Sequence, residues 1–195
     1  MDAISARRSV RSFSDREIPD EILMSVLEAG LYAPSPKNRQ PWSYIVISEH
    51  KEKKRFTEQM RAEIMKLYAQ NLDRKDIIAA LDTLEPVEQC SALVLVCYKN
   101  NTTAIHDDGV DWNMSAKDVE ALELMAVGAS VQNMLLRAQM LGVASLWCGD
   151  ILYAYQFVKK YSEFPVVSAI CLGYSNDPPQ KTARNSFCEV FKFIK

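Results

Sequence analysis

Residues 33–42 read APSPKNRQPW and join a helical pattern to a strand-like one. Before them, after Pro19, the apolar residues of 22–31 recur at helical spacing. This predicts a helix that ends before Pro34, because a residue preceding proline disfavours the helical basin. After them, residues 42–48 read WSYIVIS and have the aromatic and β-branched composition of a strand.

The polar side chains within this connection suit the wall of a pocket for a flat polar ring. Ser35, Asn38 and Gln40 can donate or accept hydrogen bonds without carrying charge. Prolines at 34, 36 and 41 stiffen the backbone around them. An ordinary helix-to-strand turn has the same composition, and taken alone the segment favours that interpretation.

A basic cluster, Arg-Arg-Ser-Val-Arg, occupies residues 7–11. If the segment is helical, Arg7 and Arg11 share a face and repel each other. A bound anion between them would convert this repulsion into charge-assisted hydrogen bonds of about 1.5–3 kcal/mol each. The alternative is a solvated basic turn that pairs with nearby acids such as Asp15 or Glu17.

The rest of the chain alternates helical and strand-like patterns without a linker or repeat, so we expect one domain over residues 1–195. Helices are expected at 50–70 and 151–161, and strands at 92–98, 143–147 and 166–172. Ser115 with Asp118 forms a capping-box pattern that begins the longest helix, which ends before Gly142.

Two apolar features of this pattern suggest contacts beyond a simple core. The long helix is apolar around much of its circumference and has a small-residue patch in its middle, at 126–130. Packing within one domain explains such a patch, but we favour a subunit interface. The apolar tail 187–194 must likewise dock on its own domain or on a partner.

Composition narrows the class of protein. The chain has 195 residues, 48% of them hydrophobic, and a net charge of -2, which gives no general field for nucleic acid. No apolar run follows the N-terminal charges, and no uninterrupted run approaches the length of a membrane span. Five scattered cysteines are typical of reduced thiols, so we expect a cytoplasmic protein with no membrane or nucleic-acid partner.

Several catalytic mechanisms lack their motifs. With only two histidines and no CxxC, no metal site is expected. Neither a GxSxG elbow nor a GxGxxG or P-loop nucleotide fingerprint is present. A nicotinamide cofactor would therefore have to visit a site that is not built on a Rossmann turn.

Taken together and in order, RRSVRSF, APSPKNRQPW, VQNMLLRA, LGVASLWCGD and PPQKTAR closely resemble the nitroreductase family of FMN-dependent oxidoreductases. The resemblance covers essentially the whole length. It implies an α+β fold, an α/β/α sandwich with a central, mainly antiparallel sheet, assembled as an interlocked homodimer with FMN at the interface. It also implies electron transfer from NADH or NADPH to a small-molecule acceptor such as a nitroaromatic or a quinone, with the chemistry at flavin N5 and no catalytic side chain.

The same resemblance implies which residues bind the cofactor. Arg7 and Arg184 would hold the FMN phosphate with help from Lys181, and Arg11 would lie nearer the ribityl chain and the pyrimidine edge. Residues of the connection at 33–42 would form a wall contributed by the partner subunit, and a segment near residue 147 would meet the flavin largely through its backbone. The full set is Arg7, Arg8, Ser9, Arg11, Pro34, Ser35, Asn38, Gln40, Leu146, Trp147, Gly149, Lys181 and Arg184.

Three matters stay open at this point. Family branches that remove halogens or break down flavin share the fold, and a non-catalytic flavin carrier or sensor is a further alternative. Residues 60–90 offer no counterpart to the cofactor contacts that larger members draw from their middle region. The polar segment 99–114, with His106 and Trp112, is either a substrate-facing cover or a mobile surface loop.

Overall fold

A computed structural model describes residues 2–69, 74–99, 115–177 and 182–194. The expected cover at 99–114 and Lys181 therefore lie outside the described residues, apart from Lys99. The helices are α1 Ala3–Ala6, α2 Asp20–Leu31, α3 His50–Ala69, α4 Arg74–Asp82, α5 Leu84–Gln89, α6 Ala116–Met140, α7 Tyr155–Val158 and α8 Phe187–Val190. The strands are β1 Trp42–Ile47, β2 Ala92–Tyr98, β3 Ala144–Cys148 and β4 Val166–Gly173.

The four strands form one antiparallel sheet in the order β1-β2-β4-β3. β2 is interior, and all seven of its residues are buried, as its unbroken apolar run predicts. Because successive side chains of a strand point to opposite faces, β2 contributes to two separate cores. Leu93 and Leu95 join the core with α3, α4 and α5, whereas Val94 and Val96 join the core with α2 and α6.

These two cores confirm the expected α/β/α sandwich with an antiparallel sheet. The predicted helix and strand boundaries agree with the structure to within a few residues at α2, β1, α3, β2, β4 and the capped start of α6. Two helices, α4 and α5, were missed. Both are short, and α5 contains Pro86. Neither therefore has the long periodic pattern that indicates a helix.

α6 combines length with apolar character. By length and composition alone, this helix of 25 residues could cross a membrane. The sequence did not predict this property, because charged residues interrupt its apolar runs. In the fold, α6 packs against α2 and the sheet, and nine of its residues are buried. Core helices of globular domains have these same properties.

The contact between α2 and α6 depends on Gly30. Ser130 of α6 donates a hydrogen bond to the Gly30 carbonyl at 2.6 Å, and Tyr44 of β1 completes the cluster at 2.5 Å from the Ser130 hydroxyl. Burial raises the pKa of Tyr44 to about 12. The small-residue patch of α6 therefore serves, at Ser130, for packing inside the chain.

We expect Gly30→Ala to destabilise the protein by about 1–3 kcal/mol, because overpacking a filled core forces side chains and backbone to shift. A Cβ at this position would lie 2.3 Å from Cε of the buried Met134 and 2.8 Å from Oγ of Ser130. Urea unfolding followed by circular dichroism measures the change. Glu28→Ala, at an exposed position of the same helix, is the control and should change stability little. Equal stability of the two variants would contradict this packing.

Candidate functional site

The basic cluster lies on an extended segment, not on a helix. α1 ends at Ala6, and Arg7 already has extended backbone angles, φ -56° and ψ 135°. The segment is therefore not helical, and Arg7 and Arg11 do not share a helical face. In extended chain, alternate residues lie on one side, so Arg7, Ser9 and Arg11 face away from the buried Val10.

This extended segment is fixed to the edge of the sheet. Ser9 forms a parallel bridge with Ser145 of β3, and the Val10 amide donates to the Ser145 carbonyl at 3.0 Å. Farther along, the Ser14 amide donates to the Tyr174 carbonyl at 2.8 Å. Two segments more than 130 residues apart in sequence are thus brought side by side.

Arg8 differs from its neighbours in how its side chain is used. Its Nη1 donates to the Ser5 and Arg7 carbonyls, each at 2.7 Å, near the C-terminal end of α1. A cation at that position satisfies carbonyls that have no partner inside the helix. The contacts give Arg8 a local role in fixing the turn that presents Arg7.

The C-terminal end of β3 carries the predicted site residues near position 147. Leu146 and Cys148 are buried on one face of the sheet, whereas Trp147 points to the α6 face and is 45% exposed. The Trp147 indole donates to the Ser168 hydroxyl at 2.9 Å, which fixes the ring. β3 ends at Cys148, and Gly149 follows at the surface.

A hollow of about 440 Å³ opens beside Trp147 and Gly149, between α6 and the ends of β3 and β4. Gly128 of α6 has no side chain to fill this space. A Cβ at that position would lie 3.7 Å from Trp147, which is an ordinary van der Waals contact. The hollow has more apolar than polar lining, with Leu124, Val127 and Val167 around it. Such a surface suits the face of a flat ring.

The connection at 33–42 has a conformation that favours display of its polar groups. Lys37, Asn38 and Gln40 all have positive φ, at 49°, 54° and 52°. The Gln40 amide donates to the Ser35 hydroxyl at 2.9 Å, which closes the turn. Pro34, Asn38 and Gln40 are exposed and Ser35 is half-buried, so these side chains are accessible to a ligand or a partner.

Strand order decides where this connection lies relative to the arginines. Trp42 pairs with Tyr98, β4 begins beside the end of β2, and Cys148 pairs with Ala169, so the connection and Gly149 lie at the same end of the sheet. They flank opposite edges, because β1 and β3 are separated by two strands. At about 4.8 Å per strand, that is a separation of roughly 14 Å. One chain does not bring the two groups together.

The electrostatics of the arginine segment favour an anion. No carboxylate of the described residues forms an ion pair with Arg7 or Arg11, so the alternative pairing with Asp15 or Glu17 is absent there. Burial raises the pKa of the Cys148 thiol to about 11, and the positive charge of Arg11 opposes that rise. The arginine charge therefore reaches the end of β3, while the thiol stays protonated near neutral pH.

The C-terminal residues are exposed where the structure describes their side chains, and Arg184 contacts a neighbouring residue of its own segment. Arg184 is exposed and donates to the Thr182 hydroxyl at 2.9 Å. Beyond α8, Phe191, Phe193 and Ile194 are 55%, 73% and 92% exposed. An aromatic and apolar segment with this exposure is suited to pack on a partner.

A second cleft lies outside the predicted site. This cleft, of about 860 Å³, lies between α3, α5 and residues 14–17. It is lined by charges of both signs, including Lys53, whose ammonium donates to the Cys90 and Ser91 carbonyls. In the described part of the chain, no three His, Cys, Asp or Glu side chains cluster as they would around a metal ion.

Comparison with known proteins agrees with this architecture. The model of the "Nitroreductase family" matches residues 4–174. The chain belongs to the nitroreductase family. A relative from Archaeoglobus fulgidus, named "Putative NADH dehydrogenase/NAD(P)H nitroreductase", is 28% identical over 180 residues, which are 89% of this chain and 84% of that protein.

Solved structures share the fold of this nitroreductase family member. A BluB-like flavoprotein from Clostridium difficile 630 superposes with a TM-score of 0.81 at 20% identity, covering 100% of this chain and 98% of that one. The NADPH:FMN oxidoreductase from Vibrio harveyi, solved with NAD+, superposes with a TM-score of 0.73 at 19% identity, covering 98% and 75%. The resemblance inferred from the sequence motifs is thereby confirmed at the level of family and fold.

Proposed function

We propose that this nitroreductase family member binds FMN and passes electrons from NADH or NADPH to a small organic acceptor, such as a nitroaromatic or a quinone. The observation that carries the proposal is the pairing of Ser9 with Ser145. This pairing sets the segment that carries Arg7, Ser9 and Arg11 alongside β3, the strand that also carries Trp147. The named activities of the relatives, NAD(P)H nitroreductase and NADPH:FMN oxidoreductase, support the same chemistry.

The residues present fit FMN. A phosphate needs several cations, and guanidinium groups match its oxygens with paired donors. Arg7 and Arg11 are free of carboxylate partners within the described residues, and their own side of the extended segment is open. The apolar hollow beside Trp147 suits the ring system, and bound FMN would supply hydride and electron chemistry that no side chain here provides.

Each group then has a distinct role in binding. Arg7 and Arg184, with Lys181, hold the phosphate, while Ser9 and Arg11 hydrogen-bond nearer the ring. A positive charge close to the pyrimidine edge stabilises negative charge on the ring, so Arg11 favours the reduced cofactor. Trp147 and Gly149 form the wall against which the ring lies. The Leu146 side chain is buried on the opposite face of the sheet, so only its backbone is available to the ring.

The site is completed by a second copy of the chain. Pro34, Ser35, Asn38 and Gln40 lie at the same end of the sheet as Gly149 but beyond its opposite edge, so a twofold partner can supply them. Exposed apolar side chains support such an interface, including Tyr32 at 85%, Met125 at 64% and the C-terminal tail. Obligate interfaces of this kind usually bury more than about 2,000 Å².

Purified protein tests the proposal directly. We expect a yellow protein with the absorption bands of bound flavin, which bleach when NADH or NADPH is added without oxygen. Reoxidation is then followed with nitroaromatics, quinones and halogenated phenols in turn. A preference for halogenated phenols would indicate a dehalogenating reaction, and loss of the flavin itself in oxygen would indicate flavin breakdown.

Two results would reject the proposal at different levels. A protein that neither carries nor takes up FMN would reject the cofactor. A protein that retains FMN but is not reduced by either nicotinamide would be a carrier or sensor, and the oxidoreductase function would be rejected. Rates with NADH and NADPH compared side by side identify the donor.

A further inference from the structure

We propose that Glu123 is a positioning residue for the flavin, acting through Arg39 on the connection that carries Asn38 and Gln40. The inference rests on the proposed function, because it names what holds one wall of that site. Glu123 does not contact the site itself in this chain. It lies on α6, and its side chain is fully buried.

The carboxylate of Glu123 has both of its oxygens engaged. Oε1 accepts from Nη1 of Arg39 at 3.3 Å, and Oε2 accepts from the Tyr98 hydroxyl at 2.6 Å. Burial raises the pKa of Tyr98 above its usual value, and the hydrogen bond to the Glu123 carboxylate and its charge raise it further. The tyrosine therefore remains a donor, and α6, β2 and the connection are joined at one point.

Arg39 lies between two exposed residues, yet its own side chain is turned inward. Its side chain is only 11% exposed, whereas Asn38 and Gln40 are exposed. The backbone produces this alternation, because Asn38 and Gln40 have positive φ while Arg39 has φ -71°. The inward guanidinium thus holds the segment against α6, while Asn38 and Gln40 stay exposed at the surface.

This conformation needs such an anchor. Left-handed backbone is unfavourable for a residue with a Cβ, somewhat less so for asparagine. Lys37, Asn38 and Gln40 all adopt it in a stretch of four residues. Strained backbone of this kind persists only where surrounding contacts hold it, and it concentrates at ligand sites.

A buried ion pair contributes little net stability to a fold. An experiment can therefore distinguish a role of Glu123 in positioning the connection from a role in packing the core. The cost of desolvating two charges often equals the attraction between them, and apolar replacements can be neutral or stabilising. If Glu123 served the fold alone, a replacement of the pair that restores stability should also restore function. If Glu123 positions the connection, such a replacement should restore the stability of the fold while the FMN affinity stays low.

The test measures FMN binding and stability of the apoprotein in parallel. In Glu123→Gln, the guanidinium faces a neutral amide, so we expect the FMN dissociation constant to rise by about tenfold or more, equivalent to about 1.4 kcal/mol. The visible bands of the bound flavin should also change shape. Glu120→Gln, an exposed position on the same helix, is the matched control and should bind FMN as the wild type does.

A double variant, Arg39→Met with Glu123→Gln, removes both charges and keeps an acceptor for Tyr98. We expect its urea midpoint without FMN to return toward that of the wild type, while its FMN affinity stays low. Recovery of both quantities together would overturn the inference, as would wild-type affinity in Glu123→Gln. If Glu123→Gln does not fold, the double variant decides by the same comparison.

The outcome also separates this inference from the function on which it rests. A wild-type protein that takes up no FMN rejects the proposed function and the inference with it. A wild-type protein that binds FMN, with Glu123→Gln binding equally well, rejects the positioning role alone.

Discussion

Replacing Arg7 by alanine should release FMN from the purified protein, with affinity falling by about 10- to 100-fold. One charge-assisted hydrogen bond to a phosphate is worth about 1.5–3 kcal/mol, and the expected loss corresponds to one such bond. Arg184→Ala should weaken binding to a similar degree, because it removes a second cation from the same group. Dialysis followed by measurement of the flavin absorbance per chain gives the retained fraction.

The arginine prediction has two controls. Arg55→Ala removes a cation from α3, where the side chain is 73% exposed and lies 4.0 Å from Glu52, so FMN retention should not change. Arg7→Lys keeps the charge but loses the planar pair of donors, so it should retain an intermediate amount. Full retention of FMN in both alanine variants would show that these arginines do not bind the phosphate.

Removing residues 187–195 should convert a dimer into monomers and abolish FMN retention. Phe191 and Phe193 expose 55% and 73% of their surface in the single chain. Fully burying a phenylalanine side chain is worth about 1.5–3 kcal/mol. Two arms contribute two partly exposed rings each, so the loss is on the order of 6 kcal/mol. Such a loss raises the dimer dissociation constant by about 10⁴-fold.

Light scattering at micromolar concentration, combined with flavin absorbance, measures both effects of the deletion. Phe193→Ser should weaken the dimer in the same direction, whereas Ile78→Ser is the control. Ile78 is also an exposed apolar residue, at 52%, but it lies on α4. A full-length protein that is already monomeric, or a truncated dimer that keeps its flavin, would contradict the shared site.

Some of this architecture is encoded locally, and the sequence determined it alone. Capping at Ser115, the proline that follows α2 and the apolar run of β2 are short-range signals, so they predict elements and their limits. The ordered motifs likewise determined the family, since RRSVR and APSPKNRQPW together are specific. Local patterns failed for α4 and α5, which are short or interrupted by proline.

Only the tertiary structure decided how the predicted site is assembled. Arg7 and Arg11 lie on an extended segment, where Ser9 pairs with Ser145, a contact between distant segments that no local spacing encodes. Strand order then separates the connection at 33–42 from the arginines within one chain. The buried Glu123 appears in sequence as one more polar residue of a long helix. Its links to Arg39 and to β2 exist only because the fold packs α6 against the connection and the sheet.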